Sequence, residues 1–328
     1  MKRKNFIYGL LSGLGIAGTA LTIRHLLSSS NNANKNEKEN EKENKRMIKT
    51  TTTTTKYPNL KISFLGGGDI SWAIITGLVK NQLIKEENIQ IYDPTNKPPK
   101  ILKEIKVVEE VTGAVNFSDI VVLGIPPHNC SKTLKILNQT RDVSSKIFVS
   151  FIKNRTFKYL KNFIGNDSKI IRASFNEPLL INKGASGIVG CQNCIEDDIE
   201  LIIELLQPVS FVIDSEDESF LDSVDVISGC GTTFVFKLME ALIEEAKQVG
   251  IEEEDATNLV IETIIGSGKL SKERNKIGIF PDQLSELASK KNKLDSYALN
   301  YLKENSYKST IVNAIKLSHQ KSIELNDK

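Results

Sequence analysis

Residues 61–78 read KISFLGGGDISWAIITGL, and this stretch decides the fold. Ile62, Phe64 and Leu65 predict a short buried strand, whereas the apolar residues from Ile70 to Leu78 recur at helical spacing. A strand that turns on glycines into a helix leaves backbone N–H groups at the helix N-terminus, where a phosphate binds well. The stretch therefore predicts a strand, a glycine turn and a helix that hold the pyrophosphate of a dinucleotide.

Individual residues of this turn predict separate contacts. Gly66 makes the turn, Gly68 lets a pyrophosphate approach the backbone, and Ser71 is the small residue that lets the helix pack on the strand. Asp93 ends the next strand-like run, roughly twenty residues on, where an acid hydrogen-bonds the ribose. A glycine turn without a ligand is the alternative.

The composition is that of a globular protein, and 328 residues leave room for two domains of roughly 150 residues each. Lysine and arginine number 43 against 41 acidic residues, so no strong field attracts a polyanion and no nucleic-acid role is expected. Four scattered cysteines do not form a disulfide framework, which fits a reducing compartment. Cys191 and Cys194 form a single C-x-x-C, half of a zinc pattern at most, so no metal site is predicted.

The first sixty residues differ from the rest. Basic residues at positions 2–4 precede an uncharged run at 6–23, which at about 18 residues is at the lower limit for crossing a bilayer. Residues 1–27 therefore predict a membrane anchor that carries a soluble catalytic domain, with a signal peptide or a mitochondrial targeting segment as alternatives. Residues 28–59 are rich in Asn, Lys, Glu and Thr and predict a disordered linker.

Residues 60–214 alternate strand and helix patterns. Strands are predicted at 89–92, 120–125, 146–150, 169–173, 186–190 and 209–213, with helices at 131–137, 156–163 and 196–206 between them. This alternation predicts an α/β, Rossmann-like doubly wound domain with a mostly parallel sheet. Ligands of such sheets bind at the carboxyl ends of the strands. The predicted cofactor-binding residues are Gly66, Gly67, Gly68, Asp69, Ile70, Ser71, Asp93, Pro126, Pro127 and His128, although a solvated loop histidine is the alternative for His128.

Residues 215–328 carry helical patterns only. One apolar stripe from Val235 to Val249 is closed by Gly250, and a second from Ala256 to Thr263 is closed by Gly266. Helical patterns at 281–289, 297–302 and 309–325 complete an all-α domain that is apolar on several faces. We expect such a domain to pack against a second copy of itself, and we assign it to dimerisation and substrate binding.

Residues 221–242 read LDSVDVISGCGTTFVFKLMEAL and resemble the signature of pyrroline-5-carboxylate reductase. The resemblance runs from about residue 60 to residue 325. FLGGGDIS at 64–71 stands where that family has its cofactor turn, RASFNEP at 172–178 where it has an Asn-x-Pro loop, and YKSTIVNA at 307–314 resembles its last helix. The resemblance implies a divergent member that reduces a small cyclic imine, 1-pyrroline-5-carboxylate to L-proline, with NADPH or NADH, as a homodimer or larger homo-oligomer.

The chain departs from the family at the substrate site. Where the family has a Ser-Pro-Gly-Gly loop and substrate-binding threonines, this chain reads SKKNKLD at 289–295. Asp295 falls on the threonine that bonds the ring nitrogen and is the predicted catalytic residue. Asp69 replaces an asparagine and Pro126 a lysine, which weakens anion binding. The resemblance implies substrate-binding residues Asn176, Gly229, Cys230, Ser289, Asn292, Lys293 and Leu294.

Two alternative functions stay open. The altered loop is compatible with a member that has lost catalysis and acts as a membrane-tethered nucleotide-binding protein. A β-hydroxyacid dehydrogenase would need Lys and Asn where Val235 and Leu238 stand. Of the two cofactors, Asp93 favours NADH because its charge repels a 2′-phosphate, an effect that Lys97 partly offsets.

Overall fold

The computed structural model describes residues 55–95, 102, 104–137, 140 and 143–326. The predicted anchor at 6–23, nearly all of the predicted linker and Lys97 lie outside the described residues. Thr55–Lys328 form one unit by their contacts. The boundary predicted after residue 214 falls at the end of the last strand.

The strands of the described residues form a single sheet. They are β1 Ile62–Leu65, β2 Ile89–Tyr92, β3 Lys106–Val108, β4 Ile120–Leu123, β5 Ile147–Ser150, β6 Lys169–Ser174, β7 Gly184–Gly190 and β8 Ser210–Ser215. Their order is β3-β2-β1-β4-β5-β6-β7-β8. Strands β1 to β6 are parallel, whereas β7 pairs antiparallel with β6 and parallel with β8. The chain reverses direction across the sheet between β1 and β4, which is where doubly wound folds bind ligands.

Helices cover both faces of this sheet and make up most of the described residues after β8. The first five are α1 Asp69–Lys80, α2 Val111–Phe117, α3 Pro127–Leu137, α4 Phe157–Ile164 and α5 Glu196–Leu206. The others are α6 Phe220–Val224, which a π turn at Asp225–Cys230 joins to α7 Gly231–Gln248, then α8 Glu253–Asn275, α9 Pro281–Lys291, α10 Lys293–Glu304 and α11 Tyr307–Leu325. The predicted α/β domain followed by an all-α region is confirmed.

Strand β4 shows why the sheet needs two layers of helix. Ile120 and Val122 point into one apolar core, and Val121 and Leu123 point into the other. All four side chains are buried. A continuous apolar strand therefore predicts burial on both faces correctly.

The prediction that Gly266 closes the second helical stripe is wrong, because α8 continues through it to Asn275. Glycine ends a helix readily where it takes a positive φ. Gly250 does so after α7, with φ of 94°, and Gly278 does so beyond α8, with φ of 75°, whereas Gly266 keeps helical geometry.

The helices from α7 onward leave much apolar surface uncovered within one chain. Phe236, Leu238 and Leu242 on α7 are each at least 40% exposed. Among the described residues, the helix Phe220–Gln248 is the one long and apolar enough to cross a membrane. That test rests on length and composition alone, and an interface helix between subunits passes it as well.

Candidate functional site

The glycine turn joins the carboxyl ends of three neighbouring strands. Gly66 donates its N–H to Tyr92 O at 2.9 Å, and Gly124 donates to Leu65 O at 2.9 Å. Gly66 has φ of 112°, and a Cβ on it would stand 2.3 Å from Gly124 O. Only glycine satisfies both conditions, so this residue fixes the turn between β1 and α1.

Asp93 holds the second glycine of the turn from the end of β2. Its Oδ2 accepts the Gly67 N–H at 2.5 Å, and its Oδ1 accepts both the N–H and the hydroxyl of Thr95 at 2.7 Å. A Cβ on Gly67 would lie 2.9 Å from the same carboxylate. Asp93, which the sequence predicts to bind the ribose, thus stabilises the glycine turn by a hydrogen bond.

The N-terminus of α1 is open to a ligand. Gly68 is its N-cap in an extended conformation, and no side chain of the described residues caps it. A Cβ on Gly68 would meet no atom within 4 Å. Since the first N–H groups of a helix have no partner within the helix, they are available to an anion here. The residues present therefore fit the pyrophosphate of a dinucleotide.

Ser71 packs this helix against the end of β4. Its side chain is buried, and its Oγ lies 2.7 Å from where a Cβ on Gly124 would stand. A larger residue at either position would push α1 away from the sheet. Asp69 is exposed in the first turn of α1, and Ile70 is partly buried beside it.

A pocket of about 260 Å³ opens beside the glycine turn. Among the described residues of its lining, Lys132 on α3 is the only cationic side chain, and Asn129 and Thr133 line the pocket from the same helix. These three residues share one face of α3, and the buried residues of the helix lie on another face. Helical periodicity shows that they share a face, but our sequence prediction did not include them. The pocket is lined by Gly66, Gly67, Gly68, Tyr92, Asp93, Pro94, Thr95, Gly124, Ile125, Pro126, Asn129, Lys132, Thr133 and Ile136.

Two predicted cofactor residues, Pro127 and His128, lie at the start of α3 and are not part of the pocket lining. Pro127 begins α3, and His128 is exposed at the next position. Of the predicted turn residues, Gly66, Gly67, Gly68, Asp93 and Pro126 do line the pocket.

A second, small cavity of about 40 Å³ lies where the sheet meets the helical region. Ile70 at the start of α1 lines it together with Lys153 and Asp225. Ser174 donates to Asp225 Oδ1 at 2.7 Å, and Lys153 Nζ lies 3.8 Å from the same oxygen. These polar contacts bind the π turn to the carboxyl ends of the strands, and our sequence prediction included neither Lys153 nor Asp225.

An ion pair makes a further link between the same two regions. Arg172 donates to Glu218 Oε1 at 2.7 Å, and the same oxygen accepts the Phe157 N–H at 2.6 Å. The Arg172 side chain is only 11% exposed. Arg172 therefore positions the start of α6 over the sheet.

Three of the predicted substrate-binding residues lie close together. Asn176 accepts the Ala185 N–H at 2.8 Å and donates to Ser228 O at 3.4 Å and to Thr232 Oγ1 at 3.5 Å. These contacts place Asn176 against the π turn that contains Gly229 and Cys230. No atom of the described residues lies within 4 Å of a Cβ built on Gly229, so the backbone there is open to a ligand.

The remaining predicted substrate residues form a helix junction. The sequence predicts a helix as far as Ser289 and a loop from there to Asp295, but α9 continues to Lys291, Asn292 separates the two helices, and Lys293, Leu294 and Asp295 open α10. The loop prediction is wrong because Asn292 caps α10: its Oδ1 accepts the Leu294 N–H at 3.0 Å. Asn292 Nδ2 also donates to Asp295 Oδ1 at 3.5 Å.

This junction does not lie in the same part of one chain as Asn176. Helices α9 and α10 make their main contacts with each other and, through α10, with α11. Lys293 and Leu294 are exposed, and Asp295 is partly buried. Within a single chain the structure thus brings five of the predicted cofactor residues to one pocket and leaves segment 289–295 in the helical region.

The fold and the pocket at its switch point define a dinucleotide-binding oxidoreductase. Residues 218–325 match the family model for pyrroline-5-carboxylate reductase dimerisation, and residues 61–154 match a model described as NADP oxidoreductase, coenzyme F420-dependent. The helical region of the chain thus matches the dimerisation domain of the pyrroline-5-carboxylate reductase family.

Relatives with this family name match most of the chain. The pyrroline-5-carboxylate reductase of Methanosarcina acetivorans is 25% identical over 82% of this chain and 99% of its own length. That of Pseudomonas aeruginosa is 26% identical over 81% of this chain and 96% of its own length. The resemblance inferred from the sequence is therefore confirmed.

Solved structures give the same fold. The NADP-bound pyrroline carboxylate reductase of Plasmodium falciparum superposes with a TM-score of 0.72 at 25% identity, covering 82% of this chain and 99% of that chain. The Coxiella burnetii reductase superposes with a TM-score of 0.74 at 22% identity, with the same coverage.

Proposed function

We propose that this protein reduces 1-pyrroline-5-carboxylate to L-proline with NADPH or NADH. The observation that carries the proposal is the open N-terminus of α1 beside a pocket at the switch point of the sheet. Relatives that match this chain over nearly their whole length carry the reductase name, which identifies the imine as the substrate. A family member without catalysis is not favoured by these matches.

The residues of the first half of the site bind and orient the cofactor. The N–H groups of the first turn of α1 hold the pyrophosphate, and the absence of a side chain at Gly68 lets it approach. Asp93 orients the ribose while it holds Gly67 in place. Lys132 on α3 supplies a positive charge to the pocket beside the glycine turn, where Asp69 and Asp93 are the acidic residues. When bound, the reduced nicotinamide supplies the hydride.

The second half of the site positions the imine. The reaction needs an electrophilic carbon held at the correct distance, and positioning alone supplies much of the rate. Asn176 fixes the π turn to the sheet, so the backbone at Gly229 and Cys230 presents a rigid surface at the cofactor crevice. Asp295 favours the protonated, reactive imine if its carboxylate faces the ring nitrogen.

The active form is proposed to be a homodimer or larger homo-oligomer. The exposed apolar side chains on α7 are numerous, and large apolar patches on a soluble protein mark contact surfaces. The helices that carry segment 289–295 pack mainly on each other and on α11, and not on the π turn of their own chain. A second copy therefore delivers Ser289, Asn292, Lys293, Leu294 and Asp295 to the crevice.

The N-terminal segment is proposed to anchor the enzyme to a membrane. Support comes from the sequence, where the uncharged run at 6–23 is flanked by basic residues on both sides. The catalytic part then lies in solution at the end of the polar linker, and a mitochondrial membrane is the alternative location.

One assay tests the proposed reaction. Full-length protein is mixed with NADPH or NADH and 1-pyrroline-5-carboxylate, and the loss of reduced-nicotinamide absorbance is compared with the formation of proline. We expect equal molar amounts of oxidised cofactor and proline. Cofactor binding without imine-dependent oxidation contradicts the proposal. A Gly66→Ala variant, whose turn cannot form, is the negative control.

A further inference from the structure

Cys191 and Cys194 lie near the amino ends of the parallel strands, whereas the cofactor pocket lies at their carboxyl ends. Strand β7 is antiparallel to β6 and ends at Gly190, so Cys191 follows it beside the amino end of β6. The Cys191 N–H donates to Ile170 O at 2.8 Å. The glycine turn lies at the carboxyl ends of the parallel strands, and the proposed reduction therefore makes no use of this pair of thiols.

The backbone brings the two cysteines to the distance that a disulfide needs. The Cys194 N–H donates to Cys191 O at 2.9 Å, which closes a tight turn between them. Such a turn keeps the two Cα atoms within about 7 Å, and disulfides join Cα atoms at roughly 4.4–6.8 Å. The two sulfur atoms are 4.0 Å apart, so a small rotation of the side chains brings them together.

The surroundings divide the two thiols into a nucleophile and a partner. A hydrogen bond from Cys194 lowers the pKa of Cys191 to about 5, against the opposing effect of burial. Backbone N–H groups of Ile170 and Asn193 and the charge of Lys161 act in the same direction. The same contact raises the pKa of Cys194. Cys191 is thus the thiolate at neutral pH, and thiolates are the form that attacks a disulfide.

A cavity of about 610 Å³ gives a small reagent access to these sulfur atoms. Both cysteines line it, although Cys191 itself is only 6% exposed. The exposed carboxylates of Glu196, Asp214 and Glu216 surround the opening. Carboxylates around an opening repel anions and attract cations. No group of three or more His, Cys, Asp or Glu side chains suited to a metal occurs among the described residues, which favours redox chemistry over a metal at this position.

We propose that Cys191 and Cys194 are a redox-active dithiol that reacts with a small, cationic or neutral disulfide to form an intramolecular disulfide. Cys191 attacks one sulfur of the reagent, which breaks the S–S bond and releases one thiolate. Cys194 loses its proton and attacks the Cys191 sulfur of the mixed disulfide, which releases the second thiol. The protein gives up two electrons and the proton of Cys194, and the reagent is reduced to one thiol and one thiolate, which takes its proton from water.

The test compares cystamine, a cationic disulfide, with glutathione disulfide, which is anionic. Full-length reduced protein has four cysteines. We expect cystamine to remove two free thiols and peptide mapping to find Cys191 joined to Cys194. The acidic opening predicts that cystamine reacts about tenfold faster than glutathione disulfide at low salt and that the difference shrinks at high salt. Retention of all four thiols, or a disulfide that includes Cys130 or Cys230, overturns the proposal.

Variants separate the two roles. Cys194→Ser should trap Cys191 as a stable mixed disulfide with cystamine, visible by mass spectrometry, whereas Cys191→Ser should leave Cys194 unmodified. Cys130→Ser and Cys230→Ser are matched controls and should still form the disulfide. Asp214→Asn with Glu216→Gln should reduce the preference for cystamine. Equal trapping of Cys194 in the Cys191→Ser variant would contradict the assignment of Cys191 as the nucleophile. The peptide mapping of the parent protein tests the disulfide even if a variant fails to fold.

Discussion

The carboxylate of Asp93 accepts the backbone N–H of Gly67 at 2.5 Å, which ties the end of β2 to the glycine turn between β1 and α1. The second carboxylate oxygen accepts two hydrogen bonds from Thr95. The acid that the sequence assigns to the ribose is therefore engaged by the protein itself before any ribose is present. Its contribution to cofactor affinity has two parts, one through the shape of the turn and one through direct contact.

Replacement of Asp93 separates these two parts. Asp93→Ala removes the acceptor of the Gly67 N–H, and a hydrogen bond to a charged group contributes roughly 1.5–3 kcal/mol, so we expect affinity for both NADH and NADPH to fall by about tenfold or more. Asp93→Asn keeps an oxygen acceptor but removes the charge that repels a 2′-phosphate, so it should move the preference towards NADPH. Both dissociation constants are measured by nicotinamide fluorescence.

Asp119→Asn is the matched control for this pair. Asp119 accepts the Lys61 N–H at 2.9 Å at the opposite end of β1. It therefore makes a comparable bond to the same strand, far from the pocket. Its replacement should leave both dissociation constants unchanged. A loss of affinity equal to that of Asp93→Asn would show that general destabilisation, and not the turn, is being measured.

Gly66 and Gly68 should respond to alanine in opposite ways. Gly66→Ala places a Cβ 2.3 Å from Gly124 O at a positive φ, and overpacking with strain should lower the free energy of unfolding by about 2 kcal/mol. Gly68→Ala meets no atom within 4 Å, so the melting temperature should stay within the error of the parent. Its methyl group faces the ligand, and cofactor affinity should nevertheless fall. Unchanged affinity in Gly68→Ala would contradict the proposed path of the pyrophosphate.

Local sequence patterns predict the layers of this fold well, for physical reasons that particular residues show. The run at 120–125 is apolar at every position because β4 is buried on both faces. The predicted helix at 196–206 coincides with α5. Gly266 fails as a predicted stop because glycine only permits a helix to end, and the backbone at that position has no reason to leave helical geometry.

The candidate site is less predictable from the sequence than the fold. Helical periodicity places Lys132 on the polar face of α3, but only the packing of α3 over the sheet brings that face to the pocket. Asp225 meets Ser174 across 51 residues of sequence. The polar residues around Asn292 predict a loop, because such residues favour loops, whereas the Asn292 side chain caps a helix. Contacts between distant segments decide all three.

Lys132 should set the charge selectivity of the pocket. It shares the lining with Asp93 and Thr95 at the end of β2, where a 2′-phosphate would lie. We expect Lys132→Met to raise the dissociation constant of NADPH about tenfold and that of NADH little, since one favourable charge contact amounts to roughly 1–2 kcal/mol. Lys135→Met, on the same helix but outside the pocket lining, is the control. An equal loss for both cofactors would place Lys132 on the pyrophosphate instead.

The exposed face of α7 should hold the oligomer together. Leu238→Lys combined with Leu242→Lys places charges on side chains that are 40% and 41% exposed in one chain. A buried unpaired charge is costly, so we expect light scattering to report dissociated subunits and activity to be lost with them. Ile195→Lys is the control, because Ile195 is 56% exposed at the start of α5, outside the helical region. An unchanged mass in the double variant would contradict the proposed interface.

Asp295 is expected to favour the protonated imine. An anion beside a cation raises the pKa of the cation, so with Asp295 present the imine stays protonated to higher pH. Asp295→Asn removes the charge and keeps an oxygen for Asn292 Nδ2, which lies 3.5 Å from Asp295 Oδ1. The imine pKa in the complex should then fall, and kcat should begin to decline at a lower pH on the alkaline side of its pH profile. At neutral pH we expect turnover to drop about tenfold.

A structural role for Asp295 gives a different result, and the design separates the two. Asp295 lies in the first turn of α10, where an acid stabilises a helix by roughly 0.3–1 kcal/mol through the helix dipole. Asp282 occupies the first turn of α9 in the same way, so Asp282→Asn is the matched control for that effect. If Asp295→Asn lowers only the melting temperature, to the same extent as Asp282→Asn, the carboxylate serves the helix alone. A shifted pH profile in Asp295→Asn, with an unshifted profile in Asp282→Asn, requires that Asp295 reach the imine.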